Sequence, residues 1–304
     1  MREPDHNLKF SGHMPAAGTV LIVSIVINAL YVAAEAGMGF WTGSLGLLSD
    51  AGHNLGDVLS LALALAAVVL ASTRPSKRYT YGYRKVSVVI SLLNAVILLI
   101  MVGAIVVEAA GKFRNPAGVA LNGTAISLTA GAGILVNGFT AFLLGKSRSG
   151  DINMRAAFLH MLADTAVSVG VVISGLVIRF TGWTLADPIV SLAVAVVIFV
   201  TSWRLLAESF RMSIDAVPDN IDIDGIYDTL CSADGVKGVH HVHVWAISTT
   251  EVALTAHIVV NDLADSGNLK RLLKERIGAM GVGHSTLEFE TVDSVCNESE
   301  CQTL

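Results

Sequence analysis

The sequence predicts an α-helical membrane protein of six transmembrane helices, followed by a small domain of αββαβ order. Three observations carry that expectation. Of 304 residues, 53% are hydrophobic and 15% charged, against about 25% charged in an ordinary soluble domain. Six apolar stretches are each long enough to cross a bilayer as a helix, which takes about 20 residues. The charge is also divided. Residues 1–210 hold 14 Lys and Arg against 10 Asp and Glu, whereas residues 211–304 hold 6 against 15. Two physically different segments therefore meet near residue 210, and the acidic second one excludes nucleic acid as a partner.

The spans fall at roughly 17–39, 45–71, 85–110, 120–144, 154–179 and 185–207, separated by the polar or Gly/Pro-bearing links WTGSLG, STRPSKRYTYGYRK, GKFRNPAG, GKSRSGDIN and FTGWTLADP. Twelve Lys and Arg border one side of the array: Arg2 and Lys9, the five of the second link, Lys146, Arg148 and Arg155, and Arg204 and Arg211. The other side has Lys112, Arg114 and Arg179. Basic residues favour the cytoplasmic side, so both termini are expected there. The expected divisions are a cytoplasmic segment at 1–16, a membrane domain at 17–208, an α/β domain at 209–292 and a tail at 293–304. The opening MREPDHNLKFSGHM carries acids and two histidines and makes a poor signal peptide. With such short links, a bacterial inner membrane is the expected location.

In the second segment, DIDGIYDTLCSAD and NLKRLLKERIGAM have helical spacing, whereas VHHVHVWAI, VALTAHIVV and STLEFET alternate or run apolar as strands. That order suits a two-layer sandwich of sheet and helices. Along VHHVHVW, His241 and His243 are expected on one face, solvated, with His240 on the other. Cys231, Cys296 and Cys301 are too few and odd in number for a disulfide scaffold.

The chemistry concentrates inside the spans. LLSDAGHNLGDVLSL, in the second, holds His53 and Asp57 four apart on one helical face, and FLHMLADTAVSVGVV, in the fifth, holds His160 and Asp164 at the same spacing. A charge at the bilayer centre costs about 2.5–3.5 kcal/mol on insertion scales. Each pair by itself could be a structural hydrogen bond within its helix. Two matching pairs argue for a shared divalent metal ion, since two imidazoles and two carboxylates make a four-donor set suited to tetrahedral Zn²⁺. The set has no thiolate for Cu(I), and Mg²⁺, Ca²⁺ or Mn²⁺ favour oxygen alone. Asp50, three residues before His53, orients that histidine or faces the bundle as a polar residue. Asn28, Glu35, Asn94 and Asn137 are read as hydrogen-bonding glue between helices. Imidazole ordinarily titrates near pH 6.5, so protons compete with the metal, and proton-coupled antiport follows. An intramembrane enzyme would need an open coordination position, and H-E-x-x-H is absent. A membrane zinc sensor or a proton channel would use the same pairs.

In order along the chain, TGSLGLLSDAGHNLGD, RYTYGYRK, HMLADTAVSVGVV with LADPIVSLAVA, and VHHVHVW with LTAHI resemble the patterns of the cation diffusion facilitators, zinc/proton antiporters, from about residue 17 to 292. The resemblance implies six helices, a cytoplasmic αββαβ domain of metallochaperone-like fold, homodimerisation and alternating access. It also implies a transport site at His53, Asp57, His160 and Asp164, with Zn²⁺ preferred over Cd²⁺ or Co²⁺ and protons as counter-ion. Some members hold a further metal in the loop after span two, or a His-rich loop after span four. Here RPSKRYTYGYRK has neither His nor Asp and GKSRSGDIN has no His. His240, His257 and Glu290 match zinc-binding positions of cytoplasmic domains in relatives, and Glu288 replaces a ligand found in some. His241, His243 and His284 are nearby extras, Cys296 and Cys301 form C-x4-C, and His6 and His13 could complete such a site. Zinc held there would offset the domain's negative charge and let two tails approach.

Overall fold

The computed structural model describes residues 16–42, 45–114, 123–147, 151–183 and 185–293. Six long helices come first: α1 (Ala16–Thr42), α2 (Leu45–Ala71), α3 (Val86–Arg114), α4 (Gly123–Ser147), α5 (Ile152–Thr181) and α6 (Ala186–Ser213). Among the described residues, four stretches are long and apolar enough to cross a membrane: Ala17–Met38, Asn54–Ala71, Val86–Arg114 and Pro188–Ser213. Helix α4 adds a shorter apolar stretch, Gly131–Lys146. Helix α5 is 30 residues long, but Arg155, His160 and Asp164 interrupt its apolar run. It packs against α2, α3, α4 and α6. Helix α6 continues past the expected end at 207 to Ser213. An apolar count ends where the residues become charged, but the backbone ladder does not. The last turns of α6 carry Glu208, paired with Arg155 at 3.0 Å, and Arg211, paired with Asp219.

The second segment builds α7 (Ile223–Cys231), β1 (Val236–Ala246), β2 (Val252–Val260), α8 (Ser266–Ala279) and β3 (His284–Thr291). Asp222 caps α7 by accepting from Gly225 N. Strands β1 and β2 pair antiparallel, β2 and β3 parallel, and the sheet order is β1-β2-β3. The parallel pair needs a crossover, which α8 supplies. Leu254, Ile258 and Leu287 pack on one side of the sheet with Ile226 and Leu230 of α7 and Leu273 and Ile277 of α8.

The β1–β2 turn reaches the ends of the long helices. Thr249 N donates to Ser87 Oγ at 3.2 Å and Thr249 Oγ1 to Asp151 Oδ1 at 3.1 Å, while Asn153 Nδ2 donates to Ser87 O at 3.0 Å. Lys85 Nζ donates to Met212 O and Ala246 O, and Arg84 pairs with Glu251. Apolar contact continues from there: Ala246 packs with Val88, Ile152, Ala156 and Met212. The start of α5, two turns before His160, is thus bonded to the hairpin turn.

Candidate metal centres

Helices α2 and α5 bring Asp57, His160 and Asp164 together. Asp57 is 1% exposed, His160 4% and Asp164 5%. His160 Nε2 lies 2.9 Å from Asp57 Oδ1 and 3.7 Å from Asp164 Oδ2. One donor atom from each of the three falls within 4.8 Å of the others, close enough for one cation. The backbone of His53 stands one turn before Asp57 in α2, on the same helical face. Its side chain, like that of Asp50, lies outside the described residues.

Hydrogen bonds between helices hold this region. Asn54 Nδ2 of α2 donates to Glu35 Oε2 of α1 at 2.8 Å, and Tyr31 Oη donates to Glu35 Oε1 at 3.3 Å. Asn28 Nδ2 donates to Thr140 Oγ1 of α4 at 3.0 Å. Glu35 and Asn28 thus tie helices together as their positions predicted. Asn94 and Asn137 differ: both are buried, yet neither Oδ1 has a hydrogen-bond partner among the described residues. A buried amide joins helices only when the facing helix offers a polar group, which its own position cannot reveal.

The second centre lies on the sheet face opposite the domain core. His240 of β1 and His257 of β2 are register partners, and Glu288 of β3 is the register partner of His257. Paired residues point to the same face, and Glu290, two further along β3, joins them. His257 Nδ1 donates to Glu290 Oε1 at 2.6 Å, His240 Nε2 lies 3.5 Å from Glu290 Oε2, and His257 Nε2 lies 3.6 Å from Glu288 Oε2. Donor atoms of His240, His257 and Glu290 also fall within 4.8 Å of one another. His284 is not brought there. It pairs with Ala253, four positions from His257, and its ring meets Tyr81 edge-on at 5.7 Å. His6, His13, Cys296 and Cys301 lie outside the described residues.

The expected placement of β1's histidines is corrected. The β1–β2 register shifts between His240 and His243, and His241 sits at φ 50°, in the left-handed region. This bulge brings His240 onto the face that carries His241, His243 and His257. His241 is 8% exposed and its ring stacks 5.1 Å from that of His257; His243 alone is exposed. The sequence places His241 only as a nearby extra on a solvated face. The two expected strands are equal in length, and only the fold shows β1 with 11 residues against 9 in β2.

Residues 21–212 match the family model described as the cation efflux transmembrane domain, and residues 218–281 match that of the cation efflux protein, cytoplasmic domain. The chain belongs to the cation efflux family. It is therefore an integral membrane transporter, not an enzyme. It is similar to the zinc transporter ZitB of Yersinia pestis, 37% identical over 272 residues, covering 89% of this chain and 86% of the relative. It is also similar to the cadmium, cobalt and zinc/H(+)-K(+) antiporter of Bacillus subtilis, 34% identical over 278 residues, with 90% and 88% covered. The metal cation efflux system protein CzcD of Cupriavidus metallidurans is 30% identical over 273 residues, with 89% and 85% covered. For this cation efflux protein, the transmembrane match contains Asp57, His160 and Asp164. The cytoplasmic match contains His240 and His257 but ends before Glu288 and Glu290 on β3.

Proposed function

We propose that this cation efflux protein exports divalent transition-metal cations, chiefly Zn²⁺, from the cytoplasm in exchange for protons. The substrate would be held by His53, Asp57, His160 and Asp164, with Asp50 orienting His53. The observation that carries this reading is the convergence of Asp57, His160 and Asp164 from two helices, all at or below 5% exposure and within 4.8 Å. Three buried polar side chains in an apolar bundle demand a compensating partner, and mixed nitrogen and oxygen donors fit Zn²⁺. The relatives, a zinc transporter and a cadmium, cobalt and zinc antiporter, agree with that cargo.

Proton exchange follows from one atom. His160 Nε2 can bind the cation through its lone pair or carry a proton, which Asp57 Oδ1, 2.9 Å away, accepts as a hydrogen bond. Metal and proton thus compete for the same nitrogen. In this reading all six long helices span the membrane, both termini face the cytoplasm of a bacterial inner membrane, and two copies form a homodimer that works by alternating access. The membrane domain occupies 17–208 and a metallochaperone-like αββαβ domain 209–292, between the segment at 1–16 and the tail at 293–304. That domain binds zinc through His240, His257 and Glu290, with Glu288 at its edge.

Proteoliposome flux tests the reading. Zinc uptake driven by a pH gradient, lost in Asp57→Ala and Asp164→Ala, is the expected result. A zinc-independent proton current that survives in these variants would identify a proton channel instead, and zinc binding without flux a membrane sensor.

A further inference from the structure

Helices α5 and α6 leave a crevice on one flank of the bundle. Ala166 of α5 and Val190, Val194 and Val197 of α6 line it, and its volume is about 350 Å³. At the end away from the α/β domain the two helices touch, since a Cβ at Gly170 would stand 3.0 Å from Val190 Cγ1. Every lining residue is Ala, Val or Ile. The neighbouring surface exposes Leu162 of α5 and Phe199 of α6. Both helices belong to the membrane domain, so hydrocarbon rather than water meets this wall.

The same two helical stripes carry arginines where they approach the α/β domain. Arg155 stands three turns before Ala166 on α5, and Arg204 two turns after Val197 on α6, so each shares its helix's crevice face. Arg155 Nη1 donates to Glu208 Oε2 at 3.0 Å, and Glu208 follows Arg204 by one turn, which brings both guanidiniums to one mouth. Arg204 is exposed and makes no ion pair among the described residues. Arg155 spends one donor on Glu208, and a guanidinium has five. Two cations thus face one anion. Beside Arg204, the exposed Trp203 stacks on Phe199 at 5.9 Å, and tryptophan favours the headgroup level. At 1.5 Å per residue the mouth lies about 10 Å from Val197 and about 17 Å from Ala166. Half of the hydrocarbon layer is about 15 Å. Charge at one end and an apolar wall at that depth match the two parts of a phospholipid in one leaflet.

We propose that an anionic phospholipid binds between α5 and α6, its phosphate on Arg155 and Arg204 and one acyl chain in the crevice. Guanidinium groups pair with phosphate through parallel charge-assisted hydrogen bonds. The single net positive charge at the mouth favours an anionic headgroup over a zwitterionic one, as basic pockets between membrane helices do. Helix α5 also carries His160 and Asp164, so the lipid braces the helix that holds the central cluster.

Native mass spectrometry of the full-length protein in detergent measures its binding of phosphatidylglycerol and phosphatidylcholine. Wild type is expected to bind phosphatidylglycerol about fivefold or more tightly. Arg204→Gln should remove that preference. Lys77→Gln, at an exposed cation in the loop after α2, should keep it within about twofold. Ala193→Phe, which fills the crevice, should weaken both lipids about fivefold. Equal affinity for the two lipids in wild type overturns the proposal, as does a preference that survives Arg204→Gln. An equal loss in Lys77→Gln also overturns it, because that marks diffuse attraction to a basic surface. So does phosphatidylglycerol binding that Ala193→Phe leaves unchanged. Dimer loss in that variant would then assign the crevice to a second copy, and binding of inorganic phosphate alone would assign the arginines to a free anion.

Discussion

The two centres use the same donor types in opposite surroundings. Asp57, His160 and Asp164 are buried among long apolar helices, whereas His240, His257 and Glu290 sit half-buried on an open sheet face. In the first, every donor has lost water, and the cluster tolerates that loss only while charge is balanced by proton or metal. In the second, the three side chains keep about 13–14% of their surface exposed, so less of their hydration is lost. Burial, more than donor chemistry, thus separates the two clusters.

The largest expected effect breaks the comparison on its buried side. Asp57→Asn and Asp164→Asn should abolish zinc flux, since each removes a donor anion from a closed set; flux in reconstituted vesicles checks it. Next comes His160→Ala, which leaves Asp57 and Asp164 facing each other without the imidazole. Thermal unfolding without metal should show a loss of about 3–5 kcal/mol, as when one partner of a buried ion pair is removed. His257→Ala, at the accessible centre, should cost about 1 kcal/mol or less by the same measurement, because water solvates what remains. Calorimetric titration of the full-length variant should show one class of zinc sites lost, with flux retained.

The link between the centres gives the smaller effects. Thr249→Val removes the Oγ1 hydrogen bond to Asp151 while leaving the backbone bond from Thr249 N to Ser87 Oγ, and should destabilise docking by about 1 kcal/mol, seen as faster amide exchange at the β1–β2 turn. Glu251→Ala removes the half-exposed partner of Arg84 and should change stability by less than about 1 kcal/mol in the same unfolding assay.

Much of this was legible in the residues because the bilayer imposes a one-dimensional rule. An apolar run of the right length becomes a helix, and an ionisable group within it is conspicuous. The His-Asp spacing worked the same way, since four residues on a helix fix a common face whatever the neighbours do. Prediction failed where a face depends on a partner strand or helix. Alternation along β1 placed His240 on the face opposite His241 and His243, but the bulge puts all three on one face. His284 has the right chemistry and lies near Glu288 in sequence, yet the strand carries it away to Tyr81. Asn94 and Asn137 resemble Asn28 in sequence, but Asn28 bonds Thr140 of α4, whereas their Oδ1 atoms have no hydrogen-bond partner among the described residues.

The sequence by itself determined the six long helices, the strand and helix order of the second segment, and the pairing of His with Asp in two spans. These follow from periodicity and the cost of polar groups in lipid, which act along the chain. Only the tertiary structure decided that α2 and α5 meet at His160, that the β1–β2 turn is bonded to the start of α5, and that Glu35 reaches Asn54 beside the centre. Those facts depend on contacts between residues far apart in sequence, and local propensity carries no record of such distances.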